Sequence, residues 1–428
     1  MRILDRFLSK LNSLRINYLD DNHLSKLKDY KYRSIDLSFI TKYILKHWWE
    51  FVTSQMPIWL APNLITLIGL LFIIVNLITV IIYDSDLKTD LNGWIYFSFA
   101  LGLFAYQTLD NVDGKQARRT GTSSPLGELF DHGIDSLNCV LGGLIQCSAI
   151  GTGHTFYAVF IIVVACWPMY LSTWEEYHTG VLFLGYINGP TEGILIAIAI
   201  LLNSSFNGIK LWHLPVEDFI NVPGPILNLF KSYGHQLLFI DLFVLFVLWA
   251  LFVGHAPACL YNTFRAIKVN RALSQSERDP RLCLISQAIF RLLPLIVFTT
   301  CSVFWILSPY SILLERSKTI EFGLMLCAIF GRISTRTILS HLTKSSFPFW
   351  SNTMIPLIGG FVLINLPVLG LPRLITPFGE LILLRLSVFF SLVGYLISSY
   401  ETVDRFCKVL NINCLTIKKR ESSFKKIS

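Results

Sequence analysis

From residue 64 onward the chain alternates short polar connections with apolar runs of roughly 20 residues, the length that crosses a bilayer as helix. The pattern predicts ten spans, near 64–83, 94–109, 134–153, 155–174, 181–203, 236–256, 284–307, 319–340, 352–371 and 379–400. Ahead of them, in a polar region, Ile40, Ile44, Trp48 and Phe51 recur at helical spacing, with Lys42 and Lys46 set to another side. Such a helix either lies in the membrane interface, with Trp48 and Trp49 at headgroup level, or packs on the protein's own cytosolic face. The predicted fold class is an all-α polytopic membrane protein, with about ten transmembrane helices and a cytosolic N-terminal interfacial helix.

Composition supports this class and excludes others. Of 428 residues, 53% are hydrophobic and 15% charged, against about 25% charged in soluble proteins. Disorder, a secreted disulfide scaffold and an ordinary soluble enzyme are excluded. The excess of 36 basic over 28 acidic residues sits in tails and loops, so it implies membrane orientation and no nucleic-acid partner. Nine cysteines are scattered without metal-ligand or redox spacing and read as small core residues. The first 38 residues lack the apolar core of a cleavable signal peptide.

The charges also orient the chain. Segment 257–281 carries Arg265, Lys268, Arg271, Arg278 and Arg281 against Glu277 and Asp279, and the tail carries Arg405, Lys408, Lys418, Lys419, Arg420, Lys425 and Lys426. Segment 84–91 is acidic, with Asp84, Asp86 and Asp90. An even number of spans puts both termini on one side, and the basic segments assign that side to the cytosol. The expected organisation is a cytosolic N-terminal region (1–62), a catalytic helix set (63–203), a Pro- and Gly-rich lumenal loop (204–235), further spans (236–401) and a basic cytosolic tail (402–428).

Candidate chemistry lies between the second and third spans. If the second span continues as helix, Asp110 and Asp113 share a face, and Gly114 and Ala117 form an adjoining strip that admits a ligand or another helix. Ser124 and Pro125 are a helix start, after which Asp131 and Asp135 share a face of the third span. Four confined carboxylates need compensating cations. Oxygen-only ligands suit two Mg²⁺ or Mn²⁺ ions, a pair suited to transfer at phosphorus. Arg118 adds a fork suited to phosphate. The plainer reading pairs these acids with Lys115, Arg118 and Arg119 in a solvated loop.

The stretch Asp110-x-x-Asp113-Gly114-x-x-Ala117-Arg118, eight residues, Gly127-x-x-x-Asp131-x-x-x-Asp135 resembles the full CDP-alcohol phosphatidyltransferase signature. Pro62-Asn63-Leu64-Ile65-Thr66, Ser124 to Gly133, Trp174 to Gly180 and Ser340 to Ser345 resemble the eukaryotic choline/ethanolamine phosphotransferases within that family. The resemblance covers nearly the whole chain and weakens at the tails and in 204–235.

That resemblance implies transfer of phosphocholine or phosphoethanolamine from CDP-choline or CDP-ethanolamine to diacylglycerol, releasing CMP. It implies that Asp110, Asp113, Asp131 and Asp135 hold two divalent metals, that Asn63 and Arg118 contact the CDP part, and that Gly114 and Ala117 leave room for the nucleotide. It also suggests a homodimer. For the base that accepts the diacylglycerol proton, Asp135 and His132 are both candidates. Spacing and basicity favour His132, with Glu128 four residues away to hold its other ring nitrogen.

Tyr106, Trp174 and Tyr177 are candidate faces for a quaternary ammonium or members of an interfacial belt. Arg291, Arg332 and Arg336 contact phosphate or counterbalance the aspartates, Lys344 reads as solvated and Glu192 as structural. The terminal Phe424-Lys425-Lys426-Ile427-Ser428 looks like a dilysine retrieval signal, implying the endoplasmic reticulum with Golgi as the neighbouring choice. Rival readings are a relative using CDP-diacylglycerol with an acceptor such as inositol, a transporter with an acidic ion site, and a catalytically dead lipid-binding relative.

Overall fold

The computed structural model describes residues 21–30, 32–186, 188–232, 234–274 and 281–418. The terminal dilysine and Arg278 lie outside the described residues. Helix α1 (Lys46–Gln55) precedes α2 (Pro62–Tyr83), α3 (Gly93–Thr120), α4 (Pro125–Ile150), α5 (Phe156–Val164), α6 (Cys166–Thr179) and α7 (Ile194–Asn207). Then come α8 (Phe239–Trp249), α9 (Ala256–Ser274), α10 (Arg281–Phe290), α11 (Leu293–Ile306), α12 (Thr319–Thr343), α13 (Ile355–Asn365) and α14 (Pro377–Leu410). Among the described residues, nine helical stretches are long and apolar enough to cross a membrane. The protein is therefore an all-α polytopic membrane protein. Helix α3 stands apart: its 28 residues span about 42 Å at 1.5 Å per residue, but the aspartate stretch makes its second half polar.

Burial sorts the helices. In the most apolar part of α12, 89% of residues are buried, and of α4, 78%, against 17% for α14. Polar groups are concentrated in the enclosed helices, while Leu386, Phe389, Leu396 and Ile397 of α14 face outward, as expected where lipid is the solvent. Close approach of α2 and α3 depends on Gly102, because a Cβ there would stand 2.4 Å from Asn76 Nδ2. That amide donates to Phe99 O at 3.1 Å.

The turn joining α3 to α4 is short. Gly121 takes a left-handed φ of +66°, which glycine adopts freely, and Thr122 N–H closes on Ala117 O at 2.9 Å. Ser124 Oγ then accepts from Gly127 N–H at 3.2 Å, and Pro125 occupies the first helical position. The second predicted span thus runs on as helix through the aspartate stretch, and the third begins at Pro125 rather than near 134.

The N-terminal region is tied to the end of the bundle that carries the aspartates. Strand β1 (Ser34–Asp36) pairs in parallel with β2 (Leu182–Leu184), a two-stranded element that the apolar pattern does not announce. Glu192 accepts from Ser38 Oγ and from Asn188 N–H, so it is structural. Leu24 and Leu27 pack with Leu126, Leu129, Ile338 and Phe406. Helix α1 and the helical turn just before it (Thr41–Leu45) bury Trp49 and Leu45 against Ile65 and Val112, yet leave Phe51 and Ile44 exposed. Trp48 is half-covered, with Nε1 donating to Thr108 Oγ1 at 3.0 Å.

Candidate metal centre and adjoining acidic cluster

Because α3 and α4 run antiparallel from one tight turn, the two aspartate pairs face each other. Carboxylate oxygens of Asp110, Asp131 and Asp135 lie within 4.8 Å of one another. Asp113 completes the set, interacting with Asp131 and Asp135. Two further side chains orient these acids. Thr66, one turn into α2, donates its hydroxyl to Asp113 Oδ2, and Tyr106 OH donates to Asp135 Oδ1 at 2.5 Å. Asp110 Oδ1 and Asp131 Oδ1 are buried without a hydrogen-bond partner. Orphaned carboxylate oxygens in a buried place are costly unless a cation meets them. An all-oxygen donor set fits a hard divalent ion.

The solvated-loop reading of these acids fails on the geometry of their basic neighbours. Lys115 turns to Glu50 at 3.6 Å. Arg119 donates to Thr53 O and Met56 O, both at 2.7 Å, and Gln116 donates to Pro57 O at 2.8 Å. This face of α3 fastens α1 and the turn after it, leaving the opposite face to the aspartates. Gly114 is open: a Cβ there would meet only Arg118 Nη1, at 3.6 Å. Ala117 continues that strip, and Arg118 itself is exposed. Asn63 is buried near the start of α4, its Oδ1 3.7 Å from where a Gly127 Cβ would stand. Asn63 Nδ2 also donates to Cys414 Sγ at 3.7 Å.

One turn from Asp131 on α4 stands a second cluster, in which Glu128, His132 and Glu176 approach within 4.8 Å. Here the arrangement departs from the expected pairing. Glu128 Oε1 accepts from Tyr30 OH at 2.8 Å, and the carboxylate that His132 Nδ1 faces is Glu176, at 3.9 Å. Tyr30 OH also meets His341 Nε2 at 3.2 Å. Tyr30 and His341 line a cavity of about 640 Å³ together with Arg33, His178 and Lys344. Lys344 caps α12 in a left-handed conformation, φ +49°.

The aromatic candidates are all engaged elsewhere. Tyr106 holds Asp135. Trp174 is fully buried, its Nε1 donating to Ala288 O at 2.9 Å. Tyr177 OH donates to Ser345 O at 3.1 Å, and its ring lies 5.3 Å beneath the Arg291 guanidinium. Arg336 donates to Trp350 O, and the charge of Arg332 acts on Tyr395. Sequence reasoning assigned no chemical role to Thr66, Glu176, His341 or Tyr30. The first three sit inside quoted family words; Tyr30 carries no local signal.

A polytopic helical protein with four aspartates converging at one end, two of their oxygens unpartnered, is a membrane protein that offers an all-oxygen donor set suited to a hard cation. Residues 59–218 match the model of the CDP-alcohol phosphatidyltransferase family. The chain is 35% identical to choline/ethanolaminephosphotransferase 1 of Saccharomyces cerevisiae, over 79% of this chain and 82% of that protein. It is 30% identical to choline/ethanolaminephosphotransferase 1 of Arabidopsis thaliana, over 95% of this chain and 100% of the relative. It is 34% identical to an uncharacterized CDP-alcohol phosphatidyltransferase class-I family protein of Dictyostelium discoideum, over 94% and 99%. The chain belongs to the CDP-alcohol phosphatidyltransferase family.

Proposed function

We propose that this protein transfers phosphocholine or phosphoethanolamine from the corresponding CDP-alcohol to diacylglycerol, forming phosphatidylcholine or phosphatidylethanolamine and CMP. The observation that carries this reading is the convergence of Asp110, Asp113, Asp131 and Asp135, with unpartnered buried oxygens, beside the open Gly114 strip. The names of relatives aligned over most of the chain support the choice of substrates.

In the proposed mechanism the four aspartates would hold two divalent metals, Mg²⁺ or Mn²⁺, which would supply charge to neutralise the diphosphate and the departing CMP oxygen. Thr66 and Tyr106 keep Asp113 and Asp135 turned inward. Asn63 and Arg118 contact the CDP portion, and Gly114 and Ala117 admit the nucleotide. His132, buried on α4, takes the proton from the diacylglycerol hydroxyl as its oxygen bonds to the phosphorus that carries the alcohol. The bond from that phosphorus to the CMP oxygen breaks.

We place the aspartate end of the bundle and both termini at the cytosolic face of the endoplasmic reticulum, where a water-soluble donor and a membrane-bound acceptor meet. The basic connections between spans support that placement. The exposed Ile44, in the turn before α1, and Phe51 of α1 dip into the same interface. We also propose that the protein works as a homodimer, as the resemblance of its motifs to the family suggests.

The decisive assay uses microsomes expressing the protein, with radiolabelled CDP-choline and CDP-ethanolamine, diacylglycerol, and Mg²⁺ or Mn²⁺. Labelled phospholipid from at least one donor is expected, and none from either refutes the reading. His132→Ala is expected to lose most of the rate while retaining CDP-alcohol binding; lost binding instead makes the histidine a substrate contact.

A further inference from the structure

We propose that Glu128, Glu176 and Tyr30 form the subsite for the positively charged head group of the CDP-alcohol, a trimethylammonium or a primary ammonium. The inference rests on the phosphotransfer reading above and deepens it, because that reading leaves the organic cation without a receptor.

Glu128 and Glu176 are 8% and 2% exposed, and their carboxylates converge with His132 within 4.8 Å. Glu128 Oε2 is buried with no partner. His132 Nδ1, at 3.9 Å from Glu176, stands beyond hydrogen-bond reach. Two enclosed carboxylates, one with an orphaned oxygen, are costly to keep ionised without a counter-charge, which a cation from outside the chain supplies.

Glu128 precedes Asp131 by three residues on α4, a rise of about 4.5 Å. In the donor a two-carbon tether joins the cationic nitrogen to the phosphoryl group, so a nitrogen whose phosphorus sits at the aspartates lands about one helical turn away. By helix rise, Glu128 lies within the reach of that tether.

Tyr30 supplies a phenol to Glu128 and a ring packed edge-on to His341, centroids 5.7 Å apart. Carboxylates combined with aromatic surface suit an organic ammonium. The Tyr30 phenol is held well above its ordinary pKa by burial and then by the Glu128 charge, so it remains a donor to that carboxylate.

Tyr30 and His341 fall outside residues 59–218, the stretch that matches the family model. Head-group recognition is thereby built partly from an N-terminal segment, joined to Glu128 and Glu176 of the phosphotransfer helices, with His341 of α12 packed behind Tyr30.

The test uses the purified full-length protein in lipid nanodiscs, with CDP-choline and CDP-ethanolamine as donors and CMP, which has no head group, as inhibitor. Glu176→Gln is expected to raise the donor KM about tenfold or more, equivalent to about 1.4 kcal/mol, while the CMP inhibition constant stays within about twofold. Tyr30→Phe, which deletes one oxygen, is expected to raise the donor KM about threefold with the same constancy toward CMP. An unchanged KM with a lower kcat and a displaced pH–rate profile overturns the proposal, making Glu176 a positioning residue for His132. An unchanged KM with a shifted Mg²⁺ or Mn²⁺ activation midpoint also overturns it, making the cluster an ion site. If Glu176→Gln does not fold, the KM comparison for Tyr30→Phe decides alone. A wild-type protein inactive with both donors would instead remove the parent reading, a distinct result from active protein with an unmoved KM.

Discussion

Tyr106→Phe separates two roles for one ring. The hydroxyl of Tyr106 donates to Asp135 Oδ1 at 2.5 Å, in a fully enclosed setting between α3 and α4. Phenylalanine keeps the ring and its packing and removes only that donor. A hydrogen bond to a charged group contributes about 1.5–3 kcal/mol. Loss of a partner that orients a metal-ligating side chain typically weakens metal binding by about 10- to 100-fold, which spans a similar range of free energy. The expected outcome is therefore a Mg²⁺ or Mn²⁺ activation midpoint raised by about one to two decades, with most of the wild-type rate recovered at saturating metal. The assay is incorporation of labelled CDP-choline into lipid across a metal titration, with CMP inhibition as a control for the nucleotide site. If the midpoint does not move, Tyr106 does not support a metal-binding Asp135 and the derivation is wrong. A ring used as a face for choline would predict the opposite pattern, since phenylalanine presents the same face.

Other expectations follow from neighbouring contacts. Asp113→Ala should lower transfer by about 10²- to 10³-fold or more, the scale for removing one charge-stabilising group from an active site; retained activity with this variant would displace Asp113 from the metal set. Gly114→Val should raise the donor KM about tenfold or more by filling the open strip beneath Arg118, while leaving the metal midpoint in place. Arg119→Ala removes two 2.7 Å bonds to the carbonyls of Thr53 and Met56 and should lower thermal stability by about 1–3 kcal/mol, with no change in the donor KM. Chelation by EDTA should abolish transfer, and Mg²⁺ or Mn²⁺ should restore it.

The aspartate centre was legible in the chain because helical geometry is local. Once Asp110 and Asp113 sit on one helix and Asp131 and Asp135 on the next, a turn of four residues leaves them little choice but to meet. Gly121 and the Ser124–Pro125 cap declare that turn in the residues themselves. The second cluster was legible only in part. Glu128 and His132 are four apart on α4, which suggested a direct pairing, but that spacing says nothing about what arrives from other helices. Glu176 comes from α6 and Tyr30 from a segment 98 residues before Glu128. Those arrivals draw Glu128 to the phenol and turn His132 toward Glu176.

By itself, then, the amino-acid sequence determined the membrane class, nearly every span, and the four carboxylates with their small-residue strip. Each depends on composition or on spacing within one helix or across one turn. Tertiary structure alone decided which face of α3 fastens α1, that Tyr106 serves Asp135, that β1 pairs with β2, and that Tyr30 and Glu176 close the second cluster. These depend on contacts between residues far apart in the chain, where the enclosed helices exclude water and every buried polar group must find its partner across the bundle.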